Sequence, residues 1–326
     1  MDYFVFGGAG YVGSFLAYDS DPKVSDELVV VDNFSTGNHF ATAGKNLETI
    51  DLLDAAALRG AFERYRVNGV FHFAAKSLVA ESAEWPLDYY RNNVVGTLNL
   101  IEACKQSGVK KIVFSSTAAV YGIPEQLPIN EATPTQPINV YGRSKLFAEQ
   151  MLHDAFAAHG ISSVCLRYFN AAGAAPDGSL GEAHEPETHL IAIILRKLMF
   201  GDNKVKIFGD DYPTDDGTCV RDYIHVRDLA DAHWRAMHWL DDNPGAHKFN
   251  LGTGQGYSVR QVMEACERVT GRKLDVEIAP RREGDPAILV ADAGKAHSEL
   301  GWGPLFSDLE TIIGDAWVWH QKHHGG

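Results

Sequence analysis

Apolar and polar residues alternate along the first half of the chain in two distinct periods. Apolar runs of strand length recur at "YFVF" (3–6), "LVVVD" (28–32), "GVFHFAA" (69–75), "KIVFSS" (111–116) and "SSVCLRYF" (162–169). The segments between them carry apolar residues at helical spacing, at 54–66, 86–107 and 139–158. This regular exchange of strand and helix predicts βα units, and therefore an α/β fold with a Rossmann-type, doubly wound parallel sheet.

The alternation loosens after Asn170, where "AAGAAPDGSLGEAHEPETH" is rich in Gly, Ala, Pro and acidic residues. We place a domain boundary there. Residues 1–170 are predicted to form a nucleotide-binding domain, to which 225–254 return as a helix and a strand. Residues 171–224 and 255–326 are predicted to form a smaller α/β lobe that binds the substrate.

The composition restricts the class of protein. The 326-residue chain is 45% hydrophobic, which is enough to bury a large core. Its net charge of −14 argues against a nucleic-acid partner, because such binding needs a basic surface. The sequence has no apolar run of membrane-spanning length and no secretory signal, so we expect no membrane association. The well-separated cysteines favour a reducing cytoplasm without disulfides; they are Cys104, Cys165, Cys219 and Cys266.

The sequence predicts no metal site. The tail "HQKHHGG" carries His320, His323 and His324, but no further ligands stand nearby at a fixed spacing. We therefore interpret this tail as solvated.

A glycine-rich turn follows the first strand directly. Gly7, Gly10 and Gly13 form GxxGxxG where a helix begins, and such a turn lets a pyrophosphate approach the helix N-terminus. Asp32 ends the next strand, where an acid accepts hydrogen bonds from ribose hydroxyls and repels a 2′-phosphate. No arginine follows it in "DNFSTGNHF", so the pattern favours NAD over NADP. A purely structural tight turn and a strand-end acid are the alternatives.

Tyr141 and Lys145 lie four residues apart in "YGRSK", within a predicted helix. Residues at this spacing share one helix face. A nearby ammonium would lower the pKa of the tyrosine from about 10, so that the phenol could exchange protons near neutral pH. A solvated helix face is the alternative interpretation.

Several longer motifs accompany these features. They include "GGAGYVGS", "VDNFSTG", "HFAAKSLVAES", "YYRNNVVGTLNL", "FSSTAAVYG", "NVYGRSK", "LRYFNAAGA", "PETHLI", "FGDDYPTDDGTCVRDYIHVRDLADAH", "NLGTGQGYSV" and "APRREGDPA". Through them, nearly the whole chain resembles the UDP-hexose 4-epimerases of the extended short-chain dehydrogenase/reductase family. The resemblance implies an isomerase that interconverts UDP-galactose and UDP-glucose by oxidising C4, rotating the 4-keto sugar and reducing it again. It also implies tightly bound NAD and a homodimer.

The resemblance assigns roles to matching residues. Tyr141 is the catalytic acid/base, Lys145 assists it and bonds the nicotinamide ribose, and Thr117 bonds the sugar oxygen at C4. The cofactor-binding residues implied are Gly7, Gly10, Tyr11, Val12, Gly13, Asp32, Asn33, Phe34, Ser35, Thr36, Gly37, Asp51, Leu52, Phe73, Ala74, Ala75, Ser77, Asn92, Ser115, Tyr141, Lys145 and Phe169. The substrate-binding residues implied are Thr117, Tyr141, Asn170, His189, Leu190, Arg221, Arg282, Asp285 and Leu289. Arginine suits a diphosphate, because guanidinium pairs with phosphate oxygens in a bidentate manner.

Three positions depart from some relatives. Ser77 replaces a lysine that faces the cofactor phosphates, and Lys76 stands one residue earlier. His189 stands where some relatives carry asparagine. Leu289 stands where some carry a tyrosine that crowds the sugar, which predicts room for an N-acetyl group at C2.

Other functions fit parts of the pattern. A nucleotide-sugar 4,6-dehydratase needs Asp and Glu after the threonine, but Ala118 and Ala119 occupy these positions and cannot move a proton. A UDP-glucuronate or other UDP-sugar 4-epimerase, or a decarboxylase of the same family, would differ mainly around C6 and stays open. A non-catalytic NAD-binding module would not need Tyr141, Lys145 and Thr117, all of which are present.

Overall fold

A seven-stranded parallel sheet forms the centre of the molecule, in the order β10-β6-β5-β4-β1-β2-β3. The computed structural model describes residues 2–18, 28–282 and 284–324. The strands of this sheet are β1 (Asp2–Phe6), β2 (Leu28–Asp32), β3 (Asn46–Thr49), β4 (Val67–His72), β5 (Lys111–Thr117), β6 (Ser162–Tyr168) and β10 (Ala246–Leu251). The predicted α/β class with a parallel Rossmann-type sheet is confirmed.

Helices cover both faces of this sheet. They are α1 (Tyr11–Tyr18), α2 (Ala55–Arg64), α3 (Val79–Glu84), α4 (Pro86–Tyr89), α5 (Gly96–Ser107), α6 (Val140–His159) and α8 (Val226–Trp239). On one face, Phe62 of α2, Leu100 of α5 and Leu152 of α6 pack on the sheet in one apolar core. On the other, Leu229 and Met237 of α8 do so in a second core. Burying both faces explains why the strands read as continuous apolar runs.

A smaller set of elements lies beyond the carboxyl end of β6. A four-stranded sheet contains β7 (Asn170–Ala172), β9 (Val220–His225), β11 (Gly256–Ser258) and β13 (Ile288–Leu289), and β8 (Lys204–Phe208) pairs with β12 (Asp275–Ala279). The remaining helices are α7 (Leu190–Met199), α9 (Val259–Thr270), α10 (Gly294–Leu300) and α11 (Leu309–His324). Because β10 pairs with β6, the chain after β9 returns to the large sheet. The predicted division into two lobes stays a prediction.

The long helix expected over 86–107 is interrupted. Residues Tyr90–Val95 form a π-helical segment between α4 and α5. Within it, the buried Asn93 side chain bonds both the N–H and the carbonyl of Lys76 at 2.9 Å, and donates to Ser144 Oγ of α6. π segments are frequent at functional sites, and this one ties the loop after β4 to α6.

The prediction of a solvated C-terminal tail is wrong for His320, although His323 is exposed. Helix α11 continues to His324, and His320 is only 3% exposed. The reason is packing, because the neighbouring Trp319 donates a hydrogen bond from Nε1 to the carbonyl of Glu182 at 2.9 Å. Among the described residues, no helix is both long and apolar enough to cross a membrane.

Candidate active site

A cavity of about 1740 Å³ opens at the carboxyl ends of β1, β2, β4, β5 and β6. Ligand sites in open parallel sheets lie at this edge. A pocket for one small molecule typically occupies about 300–1000 Å³. The cavity therefore has room for two ligands side by side.

The glycine turn after β1 packs too closely for side chains. Gly7 has a φ of 77°, and a Cβ there would lie 2.5 Å from the backbone nitrogen of Ala74. A Cβ at Gly13 would lie 2.3 Å from the carbonyl oxygen of Gly7. The N-terminus of α1 is thereby held at the cavity wall, beside Gly10 and Tyr11. A helix N-terminus at a cavity wall is a favourable site for the pyrophosphate of a dinucleotide.

Asp32 lies at the same wall and is 8% exposed. Its Oδ2 accepts the N–H of Ala9 at 3.0 Å and its Oδ1 accepts that of Phe34 at 2.8 Å, while burial raises its pKa. Arg282 is the only arginine among the described lining residues, and its guanidinium lies 4.2 Å from the ring centroid of Phe208, at the end of β8. The residues around Asp32 therefore fit NAD without the 2′-phosphate.

Tyr141 and Thr117 are brought together by the close approach of α6 to the end of β5. Asn139 caps α6 by accepting the N–H of Gly142 at 2.7 Å. A Cβ at Gly142 would lie 2.5 Å from the carbonyl oxygen of Ala119, so only glycine permits this approach. Tyr141, on the first turn of α6, and Thr117, the last residue of β5, consequently face the same cavity.

The electrostatics of this pair differ from the sequence prediction. Burial raises the pKa of Tyr141 to about 12, and a hydrogen bond with Thr117 acts in the opposite direction. Burial also lowers the pKa of Lys145 to about 7, against the attraction of Glu149. The sequence predicts a pKa below about 10 for Tyr141, whereas burial raises it, because desolvation disfavours the phenolate.

A buried ion pair joins α6, the helix that carries Tyr141 and Lys145, to β6. Arg167 of β6 and Glu149 of α6 are 2% and 8% exposed. Glu149 also accepts a hydrogen bond from Ser116 Oγ at 2.6 Å, and Arg167 donates to Tyr121 at 2.9 Å. Glu149 lies one helical turn after Lys145, so this network fixes α6 against β5 and β6. The sequence shows that Glu149 lies four residues after Lys145, but it does not show that Glu149 pairs with Arg167.

Nearly all predicted site residues line the cavity. The predicted residues that line it are Gly7, Gly10, Tyr11, Val12, Gly13, Asp32, Asn33, Phe34, Ser35, Thr36, Gly37, Asp51, Leu52, Phe73, Ala74, Ala75, Ser77, Asn92, Ser115, Thr117, Tyr141, Lys145, Phe169, Asn170, His189, Arg282, Asp285 and Leu289. Two predicted substrate residues, Leu190 and Arg221, do not. Leu190 packs on the apolar core formed by α7, α9 and α11, and Arg221 forms an ion pair with Asp285.

Lys76 has a local partner. Its Nζ lies 3.3 Å from Glu81 Oε1 and 5.8 Å from the centroid of the Tyr89 ring. The cavity is thus lined by Lys76 and Ser77, with the ammonium of Lys76 held by an acid of α3.

Four side chains that the sequence analysis did not group converge before α7: Glu182, His184, Glu187 and His189, which we call the Glu182–His189 cluster. Burial acts to lower the pKa of His189, but the carboxylates of Glu182 and Glu187 outweigh it and raise that pKa to about 10. Burial acts to raise the pKa of Glu182, but His189 and His184 hold it at about 2. In the sequence, the only indication of this cluster is the spacing ExHxxExH over residues 182–189.

Comparison with known proteins agrees with this geometry. The sequence profile of the NAD dependent epimerase/dehydratase family matches residues 3–252. A UDP-glucose 4-epimerase of Streptococcus mutans is 50% identical in an alignment of 329 positions that covers 100% of this chain and 98% of that protein. A UDP-glucose 4-epimerase of Halalkalibacterium halodurans is 48% identical in an alignment of 330 positions that covers 100% of this chain and 97% of that protein.

Solved structures show the same likeness. The UDP-glucose 4-epimerase of Brucella ovis in complex with NAD has a TM-score of 0.92 and 45% identity, and the match covers 97% of each chain. The enzyme of Bifidobacterium longum in complex with NAD⁺ and UDP has a TM-score of 0.91 and 38% identity, covering 99% of this chain and 98% of that one. The predicted relation to the extended short-chain dehydrogenases/reductases is confirmed, and this chain belongs to the NAD dependent epimerase/dehydratase family.

Proposed function

We propose that this protein is an isomerase that interconverts UDP-galactose and UDP-glucose with NAD as its cofactor. The observation that carries the proposal is one cavity that combines the glycine turn and Asp32 with Tyr141, Lys145 and Thr117. A site that only binds a dinucleotide would not need Tyr141, Lys145 and Thr117. The relatives with nearly full coverage that are named UDP-glucose 4-epimerases support the same activity.

Tyr141 is the proton-transfer group in this proposal. Its phenolate takes the proton from the sugar O4 during oxidation and returns it after the ring has turned over. Thr117 hydrogen-bonds the same region, which orients O4 and favours the phenolate. NAD, when bound, supplies the hydride acceptor and donor at C4 and a positive ring charge that favours the Tyr141 phenolate.

Lys145 and Ser115 hold the cofactor end of the site. Lys145 Nζ donates to the carbonyl oxygen of Ser115 at 2.7 Å, and the remaining protons of its amino group are free to bond a ribose. Ser115 Oγ is bonded to the hydroxyl of Tyr168 at 2.5 Å, which orients that tyrosine at the cavity wall. These contacts fix the positions of the groups before any ligand binds.

The substrate diphosphate would be held from the smaller lobe. Arg282 lines the cavity, and Asp285, three residues later, is paired with Arg221. Anchoring the UDP at these remote contacts leaves the sugar free to present both faces of its C4 carbon. Leu289, on β13, would border the sugar.

We also propose a cytoplasmic homodimer. Val95, Leu98 and Phe147 on the π segment, α5 and α6 are each 43–44% exposed, and together they form an apolar surface that a second copy would cover. The four cysteines are free thiols, which suits a reducing compartment. The domain division into 1–170 with 225–254, and 171–224 with 255–326, is part of the same proposal; α8 and β10 on the large sheet support it.

The proposal is tested by incubating the purified protein with UDP-galactose and no added reductant. The expected result is an equilibrium mixture with UDP-glucose. A parallel incubation with UDP-glucuronate tests the alternative that the enzyme acts on a UDP-sugar with a carboxylate at C6. Absence of conversion of UDP-galactose, even with added NAD, would contradict the proposed function.

A further inference from the structure

The Glu182–His189 cluster has the composition of a metal site. Glu182 Oε1 lies 2.9 Å from His184 Nδ1 and 2.5 Å from His189 Nδ1, and His189 Nδ1 lies 3.4 Å from Glu187 Oε1. One ligand atom from each of the four residues can be chosen so that all lie within 4.8 Å of one another. Two imidazoles and two carboxylates form a donor set that suits zinc and similar divalent ions.

The spacing of these atoms matches a coordination shell. Zinc binds imidazole nitrogen and carboxylate oxygen at about 2.0–2.2 Å, so neighbouring ligand atoms in a tetrahedral site lie about 3.3 Å apart. The contacts between 2.5 and 3.4 Å bracket this distance. Small side-chain movements would therefore be enough to replace the hydrogen bonds inside the cluster by bonds to an ion.

The charge of the cluster also favours a cation. The side chains of Glu182 and Glu187 are only 8% and 6% exposed, yet both face the same His189. Two carboxylates that are almost buried and converge on one point favour a cation between them. A divalent ion would neutralise both.

Hydrogen bonds to the rest of the protein fix Glu187 and the backbone of Glu182. Glu187 Oε1 accepts the N–H groups of Thr188 and His189 at 2.7 and 2.9 Å, at the start of α7. The backbone of Glu182 is fixed by Trp319 of α11. His320, next to Trp319, is buried close enough to Glu182 to feel its charge, and its Nδ1 has no hydrogen-bond partner in the part of the chain that the structure describes.

We infer that the Glu182–His189 cluster binds one divalent cation of the zinc class. Glu182, His184 and His189 are the ligands, and Glu187 is a fourth. The ion would fasten the segment before α7 to the cavity wall, because the His184 ring packs edge-on against Tyr11 of the glycine turn, with centroids 6.1 Å apart. The inference does not depend on the proposed epimerase activity, and the ion would lie at the wall of the same cavity, where His189 is also a predicted substrate-binding residue.

The test is zinc binding by the full-length protein, freed of metal with a chelator and then equilibrated with low micromolar zinc in the absence of nucleotide. Elemental analysis after desalting should find about one zinc per chain. Glu182→Gln and His184→Gln should each reduce the apparent affinity by at least about tenfold. His153→Gln is the matched control, because His153 is exposed and pairs only with the neighbouring Asp154.

A second control addresses the C-terminal helix, whose His323 and His324 could bind zinc independently. The double variant His323→Gln/His324→Gln should retain the zinc. A thermal unfolding series gives a separate readout, in which zinc raises the Tm of the wild type and of the tail variant but not that of His184→Gln. The inference is overturned if the wild type retains no zinc, or if its zinc is lost in the tail variant and kept in Glu182→Gln and His184→Gln.

Discussion

Lys145 donates a hydrogen bond from Nζ to the backbone carbonyl of Ser115, at 2.7 Å, from a site where it is only 2% exposed. This contact joins the catalytic helix α6 to the last residues of β5. Because burial lowers the pKa of Lys145 to about 7, its protonation state should influence the stability of the fold.

The first prediction concerns the pH dependence of unfolding. In the unfolded chain lysine has a pKa of about 10.4, so between pH 7 and pH 10 the unfolded state binds more protons than the folded state. Stability contributed by this group therefore rises with pH in that window. We therefore compare the free energies of unfolding of the nucleotide-free wild type and of Lys145→Met. Their difference should shift in favour of the wild type by on the order of 1 kcal/mol for each pH unit of increase. Denaturant titrations at several pH values measure this difference.

Lys105→Met is the control for this series, since Lys105 lies exposed on α5. Its unfolding free energy should follow that of the wild type at every pH. Parallel curves for Lys145→Met and the wild type would show that Lys145 is not neutral in the folded protein near pH 8.

The second prediction tests the acid/base. Tyr141→Phe removes the hydroxyl and little volume, so the fold should persist. General acid–base groups contribute about 10²–10⁴-fold, and the turnover of UDP-galactose should fall by at least the lower figure. Tyr18→Phe is the matched control, because the Tyr18 hydroxyl bonds Asp177 outside the cavity. Near-normal turnover by Tyr141→Phe would remove Tyr141 from the mechanism.

The third prediction concerns the cofactor. A redox centre restored in each turnover need not exchange its nucleotide, so denaturing the purified protein should release about one NAD or NADH per chain. Gly7→Ala should lose this nucleotide, because its Cβ would lie 2.5 Å from the backbone of Ala74. Gly44 also has a positive φ, of 73°, but a Cβ there meets nothing within 4 Å, so Gly44→Ala should keep it. Released NADP instead of NAD would contradict the role of Asp32.

The fourth prediction concerns assembly. Leu98→Glu and Phe147→Glu place charges on the exposed apolar surface of α5 and α6, and should convert a dimer into monomers. Leu305→Glu is the control, because Leu305 is 79% exposed and lies in the loop before α11. Light scattering over a dilution series measures the mass. A wild-type monomer at all concentrations would rule out the dimer.

The fifth prediction concerns substrate range. Leu289 lines the cavity and packs against an apolar cluster that contains Ala118 and Tyr121. This cluster begins at the residue that follows Thr117. Leucine is smaller than the tyrosine of some relatives, so we expect turnover of UDP-N-acetylgalactosamine as well as UDP-galactose. In Leu289→Tyr, kcat/KM should fall much more for the acetylated substrate. Equal losses for both sugars would show that Leu289 does not limit the pocket.

Local sequence patterns were sufficient to predict the fold class and most of the candidate site residues. These rest on local patterns: the period of apolar residues, the turn at Gly7, Gly10 and Gly13, the strand-end Asp32, and the i, i+4 spacing of Tyr141 and Lys145. Each of these patterns involves residues close together in the sequence. The backbone geometry that each pattern requires can therefore be predicted without knowing which distant residues pack around it. The roles of individual site residues stay predictions.

Properties that depend on residues far apart in sequence could be obtained from the folded structure alone. Burial reverses the expected pKa shift of Tyr141, because desolvation of the phenolate outweighs any help from Lys145. The ion pair of Arg221 with Asp285 bridges residues 64 positions apart, and it separates Arg221 from the cavity surface. His320 meets the segment of Glu182 across 138 positions, since α11 packs there. Solvation and charge pairing are set by what folding brings together, and the spacing of residues along a chain does not contain them.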